Sequence, residues 1–345
     1  MKTDSAPRGI LGVDGSSYTS NPTGAIRRST ELLPRLSKLG WTIHLFIPQA
    51  HAASFSQLEG VSVFPLQVPH RPGPLRPLVA GRALERAFHK TNCQLLLTET
   101  PPTPPGIPFV FTLHDLHAWD VPVQSGLLRS FWIRKTFPRA FQEAKAINVV
   151  SQFTANRLNH FFPKSKCEVI PNGSDHLPEC EGTTEPKDAW LSVGPWDRLA
   201  QPKLLQALSG KITIVGNYKK TLPKNATLVR PSDFELARLY KNSRALICTS
   251  PYEGFNFPLA EALASGCPAV ATDTPTHREV GGTAARYFSA GDKDSLRFCL
   301  KELESNPPSQ RELQNQAKLF SWNQSAKKMD SLLQRVFKSE SAKLE

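Results

Sequence analysis

Two glutamates in the second half of the chain have the chemistry to hold a sugar. Glu253 and Glu261 enclose the seven residues GFNFPLA. A carboxylate has four lone-pair sites, so it can accept hydrogen bonds from two neighbouring hydroxyl groups of a ribose or a hexose. The spacing alone leaves open that both glutamates are solvated surface charges.

The loop after Glu253 leads into a predicted helix. Pro258 suits the start of a helix because its missing N–H would be unpaired there, and Gly266 predicts the helix end. The free N–H groups of the loop and the positive helix end form a seat for phosphate, and Gly254 lets a ligand approach the backbone. The residues predicted to bind a nucleotide here are Gly254, Phe255, Asn256 and Glu261.

His114 is the candidate for chemistry in the first half of the chain. It directly follows a predicted strand at residues 109–113. It should therefore project from the carboxyl edge of a parallel sheet, where open α/β sheets bind ligands. The alternative is that His114 satisfies a backbone group of its own loop. Its neighbour Asp115 is expected to cap the following turn.

Short apolar runs alternate with amphipathic stretches, which predicts the strands and helices of parallel sheets. The chain opens with a strand at 9–15, then a helix, then a strand at 41–48, and the residues on one face of that helix are Ile26, Leu32, Leu33, Leu36 and Leu39. Two α/β units are expected, joined by a polar linker near 178–187. Further strands are predicted at 95–98, 109–113, 147–150 and 168–170, and after the linker at 190–193, 212–215, 246–249 and 269–271.

The composition is that of a two-domain globular protein. The 345 residues include 39% hydrophobic and 21% charged residues, and no apolar run approaches the roughly 18 residues of a membrane-spanning helix. Six cysteines lie scattered without metal-ligand spacing, which favours reduced thiols and a cytoplasmic location. Asp292 and Asp294 imitate a metal-binding motif, but Asp292 precedes an apolar-periodic helix and is predicted to be its N-cap. No metal site is expected.

The net charge of +12 is concentrated in the first half of the chain. A basic surface attracts nucleic acid, anionic lipid or phosphorylated ligands. No basic stripe with interleaved aromatic residues indicates nucleic-acid binding. The basic, aromatic stretch 127–145 has two interpretations, an anionic membrane surface or a core helix with a solvated basic face. The helical spacing of Leu128, Phe131 and Trp132 favours the core helix.

Residues 250–272 resemble the signature of glycosyltransferase family 4, in which Glu-Gly-Phe-Gly leads into a helix with a second Glu. Five further segments look like their family counterparts in the same order. They are FTLHDLHAWDVP (111–122), VVSQFTANRL (149–158), VIPNGSD (169–175), PTHREVGGTAARYF (275–288) and FSWNQSAKKMDSLLQRV (320–336).

The resemblance implies an α/β protein of the GT-B fold, with two Rossmann-like domains and a cleft between them. Residues 1–178 would form the acceptor-binding domain and 179–319 the nucleotide-sugar-binding domain. Residues 320–345 would form a helix that crosses back to the first domain.

The resemblance also implies a retaining reaction. A hexose of the mannose or glucose type would pass from a nucleotide diphosphate sugar to a glycan or lipid-linked acceptor, without metal or other cofactor. Contact with the inner membrane face stays open.

The family's site residues can be matched to this chain. By resemblance, Glu253 contacts the transferred sugar, Glu261 contacts the ribose, and His114 lies close to the sugar. Gly24 and Arg27 belong to a segment that resembles the acceptor loop. Either Arg27 or the neighbouring Arg28 would meet a phosphate there, or the arginine is simply solvated.

One loop departs from the family pattern. The family usually has an arginine directly after the glycine of the first strand of the second domain and a lysine several residues later, and both hold the diphosphate. Here Pro195 stands at the arginine position and Leu199 or Ala200 at the lysine position. Arg198 is the candidate to supply this charge, with Lys203 second.

Two other functions stay open. The altered loop favours a non-catalytic GT-B protein that binds a sugar nucleotide or a partner. Within the same fold, a sugar-nucleotide epimerase is also possible.

Overall fold

The computed structural model describes residues 8–20, 23–68, 76–123, 126–180, 187–194, 201–206, 208–217 and 222–342. The first of its two sheets has seven parallel strands in the order β3-β2-β1-β4-β5-β6-β7. Its strands are β1 (Gly9–Asp14), β2 (Trp41–Pro48), β3 (Val61–Leu66), β4 (Leu95–Thr98), β5 (Phe109–Leu113), β6 (Ala146–Val149) and β7 (Cys167–Val169).

The second sheet has six parallel strands in the order β10-β9-β8-β11-β12-β13. All strands that the sequence predicts lie in one of the two sheets, whereas β3, β10 and β13 were not predicted. The strands are β8 (Ala189–Val193), β9 (Lys211–Val215), β10 (Ala226–Val229), β11 (Leu246–Cys248), β12 (Ala269–Thr272) and β13 (Ala285–Phe288).

Helices cover both faces of each sheet, as parallel strands require. The first sheet is accompanied by α1 (Gly24–Lys38), α2 (Arg76–Lys90), α3 (His117–Asp120), α4 (Leu127–Glu143) and α5 (Gln152–Phe161). The remaining helices are α6 (Pro202–Leu205), α7 (Asp233–Asn242), α8 (Phe257–Ala264), α9 (Pro275–Gly281), α10 (Lys293–Ser305), α11 (Gln310–Ala317) and α12 (Trp322–Ser341), and short 3₁₀ turns lie at Gln49–Phe55 and Gly282–Ala284.

The last helix, α12, packs against the first sheet although it follows the second. Its buried residues Trp322, Met329 and Leu333 share one apolar core with Leu36 of α1 and Ile43 of β2. The indole N–H of Trp41 adds a 2.8 Å hydrogen bond to the Asp330 carboxylate of α12. The core of the first sheet is therefore complete only when α12 is in place.

The two sheets are separated along the chain by residues 170–188. Val169 ends the first sheet and Ala189 begins the second. Asp175 within this segment accepts a hydrogen bond from the backbone N–H of Trp322 at 2.8 Å. The connection between the sheets is therefore tied to the start of α12.

The prediction that Leu128, Phe131 and Trp132 face the core is wrong. These side chains are 88%, 67% and 43% exposed, whereas Ile133 and Phe141 form the buried face of α4. The helix has apolar residues at helical spacing on both faces, and periodicity cannot tell which face turns inward.

Among the described residues, none of the helices is long and apolar enough to span a membrane.

Candidate active site

Loops that follow strands of the first sheet touch loops that follow strands of the second. The strand order reverses between β1 and β4 in the first sheet and between β8 and β11 in the second. Crevices at such reversal points are the usual ligand sites of open parallel sheets. The two reversal points thus define a cleft between the sheets.

The start of α8 is fixed by Asn256. This residue has a left-handed backbone (φ 71°), which asparagine tolerates better than most residues, and it stands where the family has glycine. Its side-chain oxygen accepts the Leu259 N–H at 3.0 Å, and its amide nitrogen lies 2.7 Å from Nε2 of His277. Asn256 therefore orients the N-terminus of α8 instead of pointing into the cleft.

His277 can accept the Asn256 amide because it stays neutral. Burial lowers its pKa to about 4. Its Nδ1 lies 2.7 Å from the Thr272 carbonyl oxygen, so Nδ1 donates there and Nε2 is left as the acceptor. The helix start is thereby joined to the end of β12.

The N-termini of α1 and α8 meet across the cleft. A Cβ atom at Gly24, the first residue of α1, would lie 3.1 Å from the ring of Phe257, the first residue of α8. Each helix start carries positive partial charge, and two such ends together favour an anion. Among the described residues, none accepts the backbone N–H of Gly254 or Phe255.

Gly254 is required for a reason that the sequence analysis did not give. A Cβ atom there would overlap the carbonyl oxygen of His114. The space that glycine leaves is therefore filled by the loop after β5 and not by a ligand. The ring of Phe255 is also turned away, into the core beside Phe320, so only its backbone is left to contact a nucleotide.

Glu253 is half-buried in the loop before α8. Burial raises its pKa to about 7, the charge of Asp115 adds to the rise, and a hydrogen bond from Ser250 opposes it. Its backbone carbonyl accepts the Thr276 hydroxyl at 2.8 Å. A carboxyl group with such a pKa exchanges its proton near neutral pH.

Glu261 is not a surface charge, because its side chain is buried. One carboxylate oxygen accepts the Tyr240 hydroxyl at 2.8 Å, and the other lies 3.1 Å from Nε2 of His176. The indole N–H of Trp322 donates to Nδ1 of His176 at 3.2 Å, whereas the buried Nε2 of His176 has no hydrogen-bond partner among the described residues. Lone pairs on both oxygens stay available for hydroxyl groups.

His114 is paired with Glu99, which the sequence analysis did not identify. The distance from His114 Nε2 to Glu99 Oε2 is 2.6 Å. Burial pushes the pKa of Glu99 up, but the positive charge of His114 and hydrogen bonds from His114 and Tyr18 outweigh it and hold the pKa below its usual value. Glu99 therefore holds the His114 ring in one orientation from the end of β4.

The two arginines near the start of α1 have different partners. Arg27 forms a bidentate ion pair with Asp233 of α7, at 2.8 and 2.6 Å, and thus bridges the cleft. Arg28 is buried and donates to Asn172 at 2.6 Å and to Asn148 at 3.1 Å. The expectation that Arg28 could meet a ligand phosphate is wrong, because its guanidinium is enclosed within the first sheet's own core.

Three further contacts join the two sides. The Tyr252 hydroxyl donates to Asp120 at 2.9 Å and accepts the Leu116 N–H at 3.2 Å. The Glu279 carboxylate of α9 accepts the backbone N–H of Gln152 at 2.7 Å, at the start of α5. These hydrogen bonds hold the loops of the two sheets together beside the site.

The remaining predicted residues are placed only in part. Arg198, Pro195, Leu199 and Ala200 lie outside the described residues, in the connection that follows β8. Lys203 is exposed on α6. Asp292 caps α10, as predicted, and within the described part of the chain His, Cys, Asp and Glu form no group of three or more that could hold a metal ion.

Two family models match this chain. Residues 22–176 match Glycosyltransferase Family 4, and residues 215–320 match Glycosyl transferases group 1. The two matches together cover most of the chain and include Glu99, His114, Glu253 and Glu261.

A curated relative and two solved structures are similar to the chain. The O-antigen chain mannosyltransferase B of Escherichia coli is 25% identical over 255 residues, which is 62% of this chain and 66% of that protein, a little less than two thirds of its length. Sucrose-phosphate synthase from Thermosynechococcus elongatus has a TM-score of 0.78 at 17% identity and covers 96% of this chain and 100% of its own. Anabaena HepE in complex with UDP-glucose has a TM-score of 0.70 at 17% identity and covers 96% of this chain and 99% of its own. The chain therefore belongs to glycosyltransferase family 4, among the group 1 glycosyltransferases, and has the GT-B fold.

Proposed function

We propose that this protein is a retaining, metal-independent glycosyltransferase. It moves a hexose of the mannose or glucose type from a nucleoside diphosphate sugar to a glycan or lipid-linked acceptor in the cytoplasm. The observation that carries the proposal is the meeting of the N-termini of α1 and α8 beside Glu253, Glu261 and His114. The mannosyltransferase relative and the structural neighbour with UDP-glucose support a hexose donor.

The nucleotide lies on the second sheet in this proposal. Glu261 accepts hydrogen bonds from the ribose hydroxyls with the lone pairs that the Tyr240 hydroxyl leaves free. The diphosphate lies at the N-terminus of α8, where the N–H groups of Gly254 and Phe255 point to it. Arg198 adds positive charge from the connection after β8, and Lys203 is the weaker second candidate.

The transferred sugar lies between the two sheets. Glu253 accepts hydrogen bonds from its hydroxyl groups, and His114 reaches it from the end of β5. As the bond to the diphosphate breaks, negative charge develops on the leaving group, and the helix ends and cations stabilise it. The acceptor approaches along Gly24. Arg27 reaches the leaving diphosphate if it exchanges Asp233 for a phosphate.

The proposal is tested first by binding. A panel of GDP-, UDP- and ADP-sugars is screened for thermal stabilisation in the presence of EDTA. A true donor at 100 times its dissociation constant adds about 2.7 kcal/mol to the free energy of unfolding. Transfer to an acceptor is then measured with and without EDTA. Activity that EDTA abolishes and manganese or magnesium restores would contradict the metal-independent mechanism.

Replacing Glu261 tests the ribose contact. Glu261→Ala should weaken binding of the free nucleotide about 10- to 100-fold, since hydrogen bonds to a charged group contribute about 1.5 to 3 kcal/mol. Isothermal titration calorimetry measures this, and Glu302→Ala, which removes an exposed carboxylate of α10, is the control. Unchanged affinity in a folded Glu261→Ala variant would remove Glu261 from the site.

The altered loop with Pro195 favours a second candidate, a protein that binds a sugar nucleotide without transferring the sugar. Stabilisation by a donor with no transfer or hydrolysis would support that function. Epimerisation of the donor sugar, detected by chromatography of the recovered nucleotide sugar, would indicate the epimerase instead.

A further inference from the structure

Helix α4 exposes apolar side chains that a folded protein usually buries. Half of the large hydrophobic residues that are exposed in the described chain lie between Val123 and Trp132. On the helix itself they occupy positions 127, 128, 131 and 132, which fall on one face. The opposite face carries Ile133 and Phe141 and packs in the core. This helix is therefore apolar toward the solvent as well as toward the sheet.

Basic residues surround this exposed face. Helix α4 contains Arg129, Arg134, Lys135 and Arg139 against a single acid, Glu143. Arg139 is paired with Glu143, whereas no carboxylate in the described part of the chain pairs with Arg129 or Lys135. The long side chains of Arg129 and Lys135 can lie along the apolar patch while their charges stay at its rim.

A second exposed pair lies at the same end of the first sheet. Leu78 and Val79 are exposed in the first turn of α2, and exposed Arg82 follows one turn later. Helices α2 and α4 pack on the same face of the sheet, where Phe88 and Phe141 share one core. Both helices begin at the edge where the strands end, so their apolar first turns lie toward the cleft.

We propose that the exposed face of α4, formed by Leu127, Leu128, Phe131 and Trp132 with Arg129 and Lys135, docks on an anionic membrane. Leucine, phenylalanine and tryptophan enter the boundary between headgroups and acyl chains, and the cations bind anionic headgroups. The absence of acids from the first three turns of the helix matches a negatively charged surface. A second copy of this basic chain carries no such complementary charge on the same face.

Docking through α4 also places the cleft at the membrane. The Arg134 side chain donates to the Ala118 carbonyl at 2.8 Å, and the Ser130 hydroxyl donates to the Pro122 carbonyl at 3.1 Å. These bonds tie the first half of α4 to the segment that follows His114. The head group of a lipid-linked acceptor can then enter the cleft while its lipid stays in the bilayer. The docking itself does not depend on sugar transfer.

The test is flotation of the full chain with vesicles of phosphatidylcholine, with and without phosphatidylglycerol. The protein should float with the anionic vesicles and stay behind with the neutral ones. The double variant Leu128→Ser, Phe131→Ser should reduce the bound fraction about tenfold or more. The matched control is Phe298→Ser, Leu319→Ser, which removes side chains of 66% and 60% exposure elsewhere on the molecule and should bind as the wild type does.

The charges are tested in the same way. Arg129→Gln, Lys135→Gln should lower binding to anionic vesicles, and Lys327→Gln, Lys328→Gln, which makes the same change in net charge on α12, should not. No flotation of the wild type, or an equal loss in target and control variants, would overturn the proposal. If the wild type does not float, size-exclusion chromatography identifies the alternative. An oligomer that the Leu128→Ser, Phe131→Ser variant dissociates would show that this face joins copies of the chain.

Discussion

Glu99 orients the His114 ring, so substitutions of the two residues should have effects of different size on turnover. His114→Ala should lower turnover about 100-fold, the scale of losing one preorganised polar group, while nucleotide affinity stays nearly constant because His114 lies on the opposite sheet. Glu99→Gln should lower turnover less, since the amide oxygen still accepts a hydrogen bond from the histidine. Steady-state kinetics and nucleotide titration measure the two effects.

The exposed His160 on α5 provides the control for this experiment. His160→Ala should leave both turnover and affinity unchanged. Wild-type turnover in His114→Ala would make His114 a structural residue of its loop.

The raised pKa of Glu253 predicts how the stability of the protein depends on pH, which can be measured without a substrate. Its pKa in the folded protein is about 7, above the ordinary value of 4.5. Between these two pH values the folded state keeps the proton that the unfolded state has lost. The stability that the neutral carboxyl contributes is therefore full below pH 4.5 and is lost as the pH rises through 7.

The variant Glu253→Gln cannot lose this proton. Its free energy of unfolding relative to the wild type should therefore rise by about 2 to 3 kcal/mol between pH 5 and pH 8, at about 1.4 kcal/mol per pKa unit. Urea unfolding at several pH values measures the difference. A difference that does not change with pH would show that Glu253 has an ordinary pKa.

The residues of the site differ in how readily the sequence shows them. Glu99 follows β4 as His114 follows β5, so the rule that identified His114 also applies to Glu99. His176 and Tyr240 could not be found in this way, because they reach Glu261 from segments that are distant along the chain. Their types and local patterns are those of ordinary core residues.

At the scale of single elements, Asn256 determines how α8 begins. Asn256→Gly keeps the left-handed backbone but loses the side-chain cap, which costs a few tenths of a kcal/mol. Asn256→Ala loses the cap and also strains the left-handed backbone. Its free energy of unfolding should therefore be about 1 kcal/mol lower than that of the glycine variant. Chemical denaturation compares the three proteins. Equal stability of the alanine and glycine variants would contradict the left-handed conformation.

Strands and helices were predictable where the apolar residues follow a single periodicity along the sequence. The runs at 41–48 and 109–113 are buried strands, as their apolar composition predicts. Helix α4 was predicted in position but not in orientation, because its two apolar faces give the same period. The strand β3 escaped prediction because only one of its six side chains, that of Leu66, is buried.

At the scale of the whole molecule, Gly173 is the point where α12 meets the segment between the sheets. A Cβ atom at Gly173 would lie 2.5 Å from Cγ of the buried Trp322 and would also overlap its backbone nitrogen. Gly173→Ala should therefore destabilise the protein by about 2 to 3 kcal/mol, because neither backbone nor indole can move aside easily. Thermal or urea unfolding measures this.

The matched control is Gly81→Ala in the middle of α2, where a Cβ atom meets nothing within 4 Å. This change should stabilise the protein by about 0.5 to 1 kcal/mol, since alanine is the better helix former. If both alanine variants behaved alike, Gly173 would not be in close contact with Trp322.

The return of α12 to the first sheet also affects how the protein is made. The apolar face that carries Leu36 and Ile43 is covered by Met329 and Leu333, some three hundred residues further along the chain. A ribosome makes the first sheet early, yet it delivers this cover only after every strand of the second sheet. The emerging chain therefore exposes this apolar surface throughout most of its synthesis, and it is prone to aggregation until α12 has left the ribosome.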